Sequence, residues 1–520
     1  MSDVVRAQKT VPAGAWVAST YFAQGYPYAI VINLADLFFV AHGASLQAVG
    51  LTSLFHLPWN LKAFVGPFLD AYATKRSWLV AIELLLSIAL VAFAFATTLP
   101  NVLVAASVVF IGLAILSATH DIAIDGLYLE VLDKKQQEAL VGWRAPPWRL
   151  ALMLVTGPMA IVCDKQGWLL GGLVLAGAMF ALFLFHLVFL PRTETQKKPA
   201  IELLKQAFTL RFLAIATVIA VVIAGGRALL RSDTLASIKG SAAASFPKAA
   251  VVVGKWGPAD WIGMVMLVAL IVGVALLPKI RRRIEGSTST YAASFASFLA
   301  QPYAGRILAY IVLFRIGESF LMKMKTPFSL KALGLTVAEY GVVNGTIGMI
   351  VGLAAPVIGG VLIAKVGFRK CIWPFLLAQN GLHLVFCLAA IWAPEIATAK
   401  TPLLATIVGP HVVTMVDTRL VVVTAVIVIE IIGAGLGTAA FMVYIIRCCS
   451  PDHKAAHMAL LTSLMSISFT LAGVFSGFLA EALGFPWYFF FTFIVTMPGM
   501  ALTLWVPHID ERGAKPTLGR

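Results

Sequence analysis

The chain is built from apolar blocks long enough to cross a membrane, such as 78–97 and 168–190. A helix needs about 20 apolar residues to span a hydrocarbon layer roughly 30 Å thick. Backbone N–H and C=O groups find no water there, so each block must satisfy them within itself and is expected to be helical. The other spanning solution, a β-barrel, would read as alternating strands of about ten residues. Charged residues make up only 12% of the chain, against about 25% in soluble domains. The fold class is therefore all-α integral membrane.

Spans are expected near 14–40, 47–69, 78–97, 102–124, 140–162 and 168–190. A second set falls near 307–330, 338–364, 371–393, 421–446, 456–480 and 486–506. Two further apolar stretches, near 210–225 and 260–278, bring the expected number to about 14. This divides the chain into an N-terminal six-helix bundle (1–190), a central segment with two extra helices (191–306), and a C-terminal six-helix bundle with a tail (307–520). The 290–303 stretch follows Lys279, Arg281, Arg282 and Arg283. It reads as an interfacial helix beside anionic headgroups, so membrane lipids are expected partners.

The net charge is +15. In a soluble protein this would suggest nucleic acid, but here the basic residues sit in short loops and set topology. With the N-terminus inside, 24 of the 39 Lys and Arg fall in inner loops, nine in outer loops and six within helices. The bias expects both termini in the cytoplasm. No cleavable signal peptide is expected, because the first apolar segment holds Gln24, Pro27, Asn33 and Asp36. The five cysteines form no C-x-x-C pair and suggest no disulfide framework. No Walker A loop is present, so direct use of ATP is not expected. No metal, cofactor or catalytic set stands out, and the chain does not read as an enzyme.

The two sixes look like a repeat. Ser45-Leu-Gln-Ala-Val-Gly50 opens the second helix, and Thr336-Val-Ala-Glu-Tyr-Gly341 opens the eighth. Thr336 and Glu339 also fit a capping box. The second helix closes on Gly66-Pro-Phe-Leu-Asp70 and then Lys75-Arg76, and the eighth on Gly360 through Lys370. Two parallel six-helix halves are the architecture of the major facilitator superfamily.

A charge near the bilayer centre costs at least about 2.5–3.5 kcal/mol, so such residues usually face a cavity. Arg149, Arg315, Glu318 and Glu430 fall near the midplane at about 1.5 Å per residue, and Gln24 lies at the same depth. Pro27 beside it is expected to break or kink the first helix. Arg315, Glu318 and Lys325 share one face of the seventh helix, while Lys323 falls on another face and further out. The plain reading of Arg315 and Glu318 is that they pair with each other. The functional reading makes Arg149, Arg315, Gln24 and Lys325 substrate-binding. Glu430, with no basic residue within four positions on its own helix, becomes the proton carrier, with Glu318 as partner of Arg315.

Asp121 and Asp125 stand one turn apart at the cytoplasmic end of the fourth helix, with Arg144 at the start of the fifth. Without a His or Cys cluster they do not suggest metal. With Asp70, Lys75 and Arg76 they read as a gating network at the inner mouth. His56 reads as a packed polar residue, and Lys62 as a contact for an anion or an acid.

Several segments resemble the AmpG-type muropeptide permeases. Ser117-Ala-Thr-His-Asp-Ile-Ala-Ile-Asp125 is similar to their fourth-helix signature. Gly50 through Lys62, Arg315-Ile-Gly-Glu318 through Thr326-Pro-Phe, Glu430 through Phe441 and Ala480-Glu-Ala-Leu-Gly484 resemble other family segments. The resemblance implies proton-driven import of anhydro-muropeptides across the bacterial inner membrane. His120 stands where the family often has Gln, and Lys323 and Lys325 where small residues are usual. The wider family includes acetyl-coenzyme A transporters, so a coenzyme A thioester is the alternative cargo. A non-transporting receptor is a further alternative. A small anionic substrate and protons are the expected partners of a monomer.

Overall fold

The structure is a computed structural model of the chain. It describes residues 12–62, 69, 72–140, 143–192, 297–408, 411–450 and 454–509, with isolated positions between 264 and 272. Asp70, nearly all of the expected central helices and half of the interfacial stretch (290–296) lie outside the described residues.

Helix α1 runs Ala13–Ala29, widens into a π segment at Ile30–Leu34 and resumes at Ala35–Ala41. Pro27 neither breaks nor ends it. The wider turn that follows absorbs the disturbance, as π-bulges do inside helices. Helix α2 is a composite of Leu46–Leu51, a 3₁₀ stretch Thr52–His56 and Leu57–Asn60. Lys75–Ala96 (α3), Val102–Val131 (α4), Ala145–Gln166 (α5) and Trp168–Phe189 (α6) complete the N-terminal half. Helix α5 carries its own π segment, Val155–Met159, around Pro158.

The C-terminal half opens with α7, Ala304–Pro327, continued by a π segment Phe328–Ala332. Val337–Val366 (α8), Phe368–Ile391 (α9) and Thr418–Cys448 (α10) follow. The long element Lys454–Leu502 is two helices, α11 and α12, broken at Gly484 with φ 70°. Gly167 between α5 and α6 has φ 88°. The same device thus joins the fifth helix to the sixth in both halves. Glycine enters this left-handed region without the steric cost a Cβ would bring.

The capping box expected at Thr336 is formed: its hydroxyl accepts from Glu339 N, and the Glu339 side chain accepts from Thr336 N. Eight helical stretches among the described residues are long and apolar enough to cross a membrane. Helices α1 and α2 are interrupted, and α7 carries five charges, Arg306, Arg315, Glu318, Lys323 and Lys325. On α4 the exposed residues Val104, Val108, Ile111 and Ile115 repeat at helical spacing, as expected of a lipid-facing stripe.

A β-hairpin not anticipated from the sequence joins α9 to α10. Strand β1, Pro402–Val408, pairs antiparallel with β2, His411–Asp417. Asp417 then caps α10 by accepting from Leu420 N at 2.8 Å. Arg419 ties this end to the turn before α8, donating to Gly334 O and reaching Glu339 Oε1 at 2.5 Å.

The two halves meet along α2 with α11, α5 with α8 and α1 with α7. On the hairpin side Lys331 donates to Ala44 O at 2.5 Å and Ala338 N to Asp164 Oδ2 at 3.1 Å. The π segment of α5 and that of α8, Gly341–Gly348, press so closely there that a Cβ on Gly345 would overlap the Thr156 carbonyl. The α2–α11 contact reaches down to Asn60, which donates to Thr470 Oγ1 at 2.9 Å.

Candidate functional site

A cavity of about 410 Å³ lies between the halves. Polar residues of α1, α2, α5, α7 and α10 converge on it, because each of these helices turns its charged face away from lipid. Arg149, Arg315, Glu318, Lys325 and Glu430 all line this space. Tyr28, Trp148 and His56 form one wall. The Tyr28 ring stands 5.5 Å from Trp148 and 5.2 Å from Trp59.

The charges are paired in a definite order. Arg315 Nη1 is 2.6 Å from Glu318 Oε2 and 3.0 Å from Thr438 Oγ1. Gln379 Nε2 donates to the same Glu318 oxygen at 3.1 Å. Lys325 Nζ is 3.1 Å from Glu430 Oε2. Lys323 Nζ contacts both Asp36 oxygens, at 2.8 and 3.0 Å, and Thr52 Oγ1 at 2.6 Å.

Two expectations are corrected here. Glu430 is not without a cation: its partner comes from α7, where a reading along α10 could not see it. Lys323 does not point out of the site. Helix α7 sits at the seam between the halves, so its opposite faces are both covered, one by α10 and the other by α1 and α2.

Four cations line the cavity, Arg149, Arg315, Lys323 and Lys325, against three carboxylates, Asp36, Glu318 and Glu430. Each carboxylate has a cation of its own. Arg149 is the cation left over, with no ion pair among the described residues. Its guanidinium lies 5.8 Å from the Trp148 ring.

Gln24 does not line the cavity. It points from α1 to α4 and donates to Asp121 Oδ1. Asp121 also receives Lys62 Nζ at 3.1 Å. One turn on, Asp125 Oδ1 accepts from Arg144 at 2.7 Å and from the Tyr21 hydroxyl at 2.8 Å. Arg144 stacks over the rings of Tyr21 and Tyr128, 4.6 and 5.0 Å away. The two aspartates thus hold separate cations. Among the described residues no group of three His, Cys, Asp or Glu is placed to hold a metal.

Arg76 donates to the Leu187 and Leu190 carbonyls at 2.5 and 3.3 Å, capping the end of α6. Lys75 is buried, its stem laid against Gly126. The partners named above for Asp121, Asp125, Arg144 and Arg76 all come from the N-terminal half. Asp70 is outside the described residues.

A polar cluster that sequence reasoning missed lies inside the N-terminal half. Glu83 Oε1 on α3 is 3.2 Å from His120 Nε2 on α4 and 2.6 Å from His186 Nδ1 on α6. His186 Nε2 continues to Ser19 Oγ at 3.0 Å. All three residues are fully buried. One helix at a time, each looks like a lone polar residue in an apolar run.

Two six-helix halves around a charged cavity define a secondary transporter of the major facilitator fold, not an enzyme. Residues 307–520 match the family model of the Major Facilitator Superfamily. The resemblance to AmpG-type permeases extends over nearly the whole chain. It is 21% identical to the anhydromuropeptide permease of Escherichia coli K12 over 492 residues, 93% of this chain and 77% of that one. It is 21% identical to the putative transporter AmpG 4 of Rickettsia conorii over 494 residues, 93% of each chain. Among solved structures, a POT family transporter in complex with 5-aminolevulinic acid superposes with TM-score 0.59 at 13% identity, covering 96% of each chain. The peptide transporter POT in complex with sulfate gives 0.60 at 16% identity, over 94% of this chain and 93% of that one. These two likenesses carry the fold.

Proposed function

We propose that this protein imports anhydro-muropeptides across the bacterial inner membrane by proton symport, as a monomer with both termini in the cytoplasm. The observation that carries the reading is Arg149, a cation left over in a cavity where every carboxylate is already paired. Arg can clamp a carboxylate with two parallel hydrogen bonds. The neighbouring Tyr28 and Trp148 rings offer an amphipathic wall for the sugar and peptide parts of such a ligand. The relatives named anhydromuropeptide permease and AmpG supply the substrate class.

Arg315 and Lys325 shape the same site through their carboxylates, Glu318 and Glu430, which are the proton-exchanging groups of the C-terminal half. Gln24 acts on the site from a distance, by orienting Asp121. Asp70, Asp121, Asp125, Arg144, Lys75 and Arg76 form the inner mouth of the N-terminal half, the surface that meets the other half when that mouth closes. With the hairpin facing outward, the cross-half contacts at Ala44, Asp164 and Gly345 close the outer side, and the conformation is inward-facing. The rival cargo, a coenzyme A thioester, drew its support from Lys323 and Lys325. Both are neutralised by Asp36 and Glu430, which favours a less anionic ligand.

Uptake of labelled anhydro-muropeptide into proteoliposomes tests the reading. Accumulation under an inward proton gradient, abolished by a protonophore, is expected. Accumulation of a labelled coenzyme A thioester instead would reassign the cargo.

A further inference from the structure

Three carboxylates line the cavity, and they differ in one respect that bears on coupling. Glu318 is held by Arg315 and Gln379, on α7 and α9. Glu430 on α10 is held by Lys325 on α7. Both sets lie within the C-terminal half and travel with it. Asp36 lies on α1, and its counterion Lys323 lies on α7. Among the ion pairs of the described residues, this is the one that joins the two halves.

A ligand shifts a conformational equilibrium only by as much as its affinity differs between the two states. The proton is such a ligand. If the halves rock as rigid bodies, Glu318 and Glu430 keep the partners that hold them, so protonating either breaks no contact between the halves. Asp36 instead loses its counterion. In the present arrangement it faces an ammonium that touches both its oxygens, and Thr52 Oγ1 lies 2.5 Å from Oδ1. When the halves part on the hairpin side, Lys323 leaves with its half.

We infer that Asp36 is the carboxylate through which proton binding is tied to the movement of the halves; this rests on the proton-coupled reading above. With the halves parted, Asp36 takes a proton from the hairpin side. When they close, Lys323 replaces the proton, which leaves by way of the cavity while Lys323 stays an ammonium. The sign follows: acid favours parting on the hairpin side, because a neutral Asp36 no longer holds Lys323. The other titratable groups facing the pair are Tyr340 on α8 and His56 on α2. Tyr340 stays hydrogen-bonded to Thr326 within its own half. His56 holds Ser466 across the seam at 3.1 Å, so a His56→Gln variant belongs in the same series.

Spin labels at Gln166→Cys and Glu395→Cys, exposed on the hairpin side of the two halves, read the separation in a cysteine-free full-length chain. The distance is expected to lengthen as pH falls. Asp36→Asn is expected to keep the long distance at every pH, and the exchange Asp36→Lys with Lys323→Asp to regain the shift. Should Asp36→Asn fail to fold, the doubly neutral Asp36→Asn, Lys323→Gln chain is expected to fold and to show no shift. A wild-type pH shift surviving in either neutral variant, or lost only in His56→Gln, overturns the assignment. Such an outcome leaves proton-driven uptake itself standing, whereas uptake indifferent to the proton gradient strikes the reading beneath it.

Discussion

Lys325 and Glu430 sit 3.1 Å apart, joining α7 to α10 inside a single half, and both side chains are nearly inaccessible to water. Removing one partner of a buried ion pair leaves the other charge uncompensated, at a cost of about 3–5 kcal/mol. Glu430→Gln is therefore expected to lower the melting temperature sharply, and Glu430→Gln with Lys325→Met to recover most of the loss. A double-mutant cycle by thermal unfolding in detergent measures this. Additive effects would mean the two side chains do not interact.

Arg149 behaves in the opposite way. With no ion pair to lose, Arg149→Ala is expected to shift stability by no more than about 0.5 kcal/mol. Binding of anhydro-muropeptide should fall at least about tenfold in Arg149→Lys, since an ammonium cannot make the two parallel bonds of a guanidinium. Calorimetric titration of the purified protein decides it. Unchanged affinity in both Arg149→Lys and Arg149→Ala would remove the clamp.

The α5–α8 seam depends on glycine. A Cβ at Gly345 would meet the Thr156 carbonyl and the Gly157 nitrogen, and backbone cannot step aside as a side-chain tip can. Gly345→Val is expected to wedge the hairpin side open, raising the reactivity of a cysteine placed at Thr346 toward an impermeant maleimide. Reactivity equal to that of the same cysteine beside Gly345 would show that the seam is looser than drawn.

The charge bias leads us to expect both termini inside, an orientation that can be checked independently. A reporter fused after Arg520 is expected to read cytoplasmic, and one inserted in the 235–255 loop external. A cytoplasmic signal from the loop would mean that the two central apolar stretches do not cross the membrane.

The helical membrane fold class, the capping box at Thr336 and the Arg315–Glu318 pair were legible in the sequence. They rest on signals carried within one helix: run length, i to i+3 spacing, an N-terminal box. What crosses between helices was not. Lys325 with Glu430, Lys323 with Asp36, and Glu83 with two histidines each join residues remote in sequence, and a helical wheel reports only direction from its own axis. Lys323 shows the limit well. Its face was read correctly as different from that of Lys325, but at a seam both faces are interior. The hairpin was missed for another reason. Its two β-branched runs flanking Gly409-Pro410 are short beside the helical blocks and read as loop.

The proposed function requires that this cavity move an anhydro-muropeptide together with a proton. Substrate-induced proton movement tests it most directly. Proteoliposomes holding a pH-sensitive dye are clamped at zero voltage with no imposed pH gradient, and anhydro-muropeptide is added outside. The lumen is expected to acidify with the wild-type chain, and Arg149→Ala to abolish the signal. Entry of labelled substrate without any acidification of the lumen would contradict it.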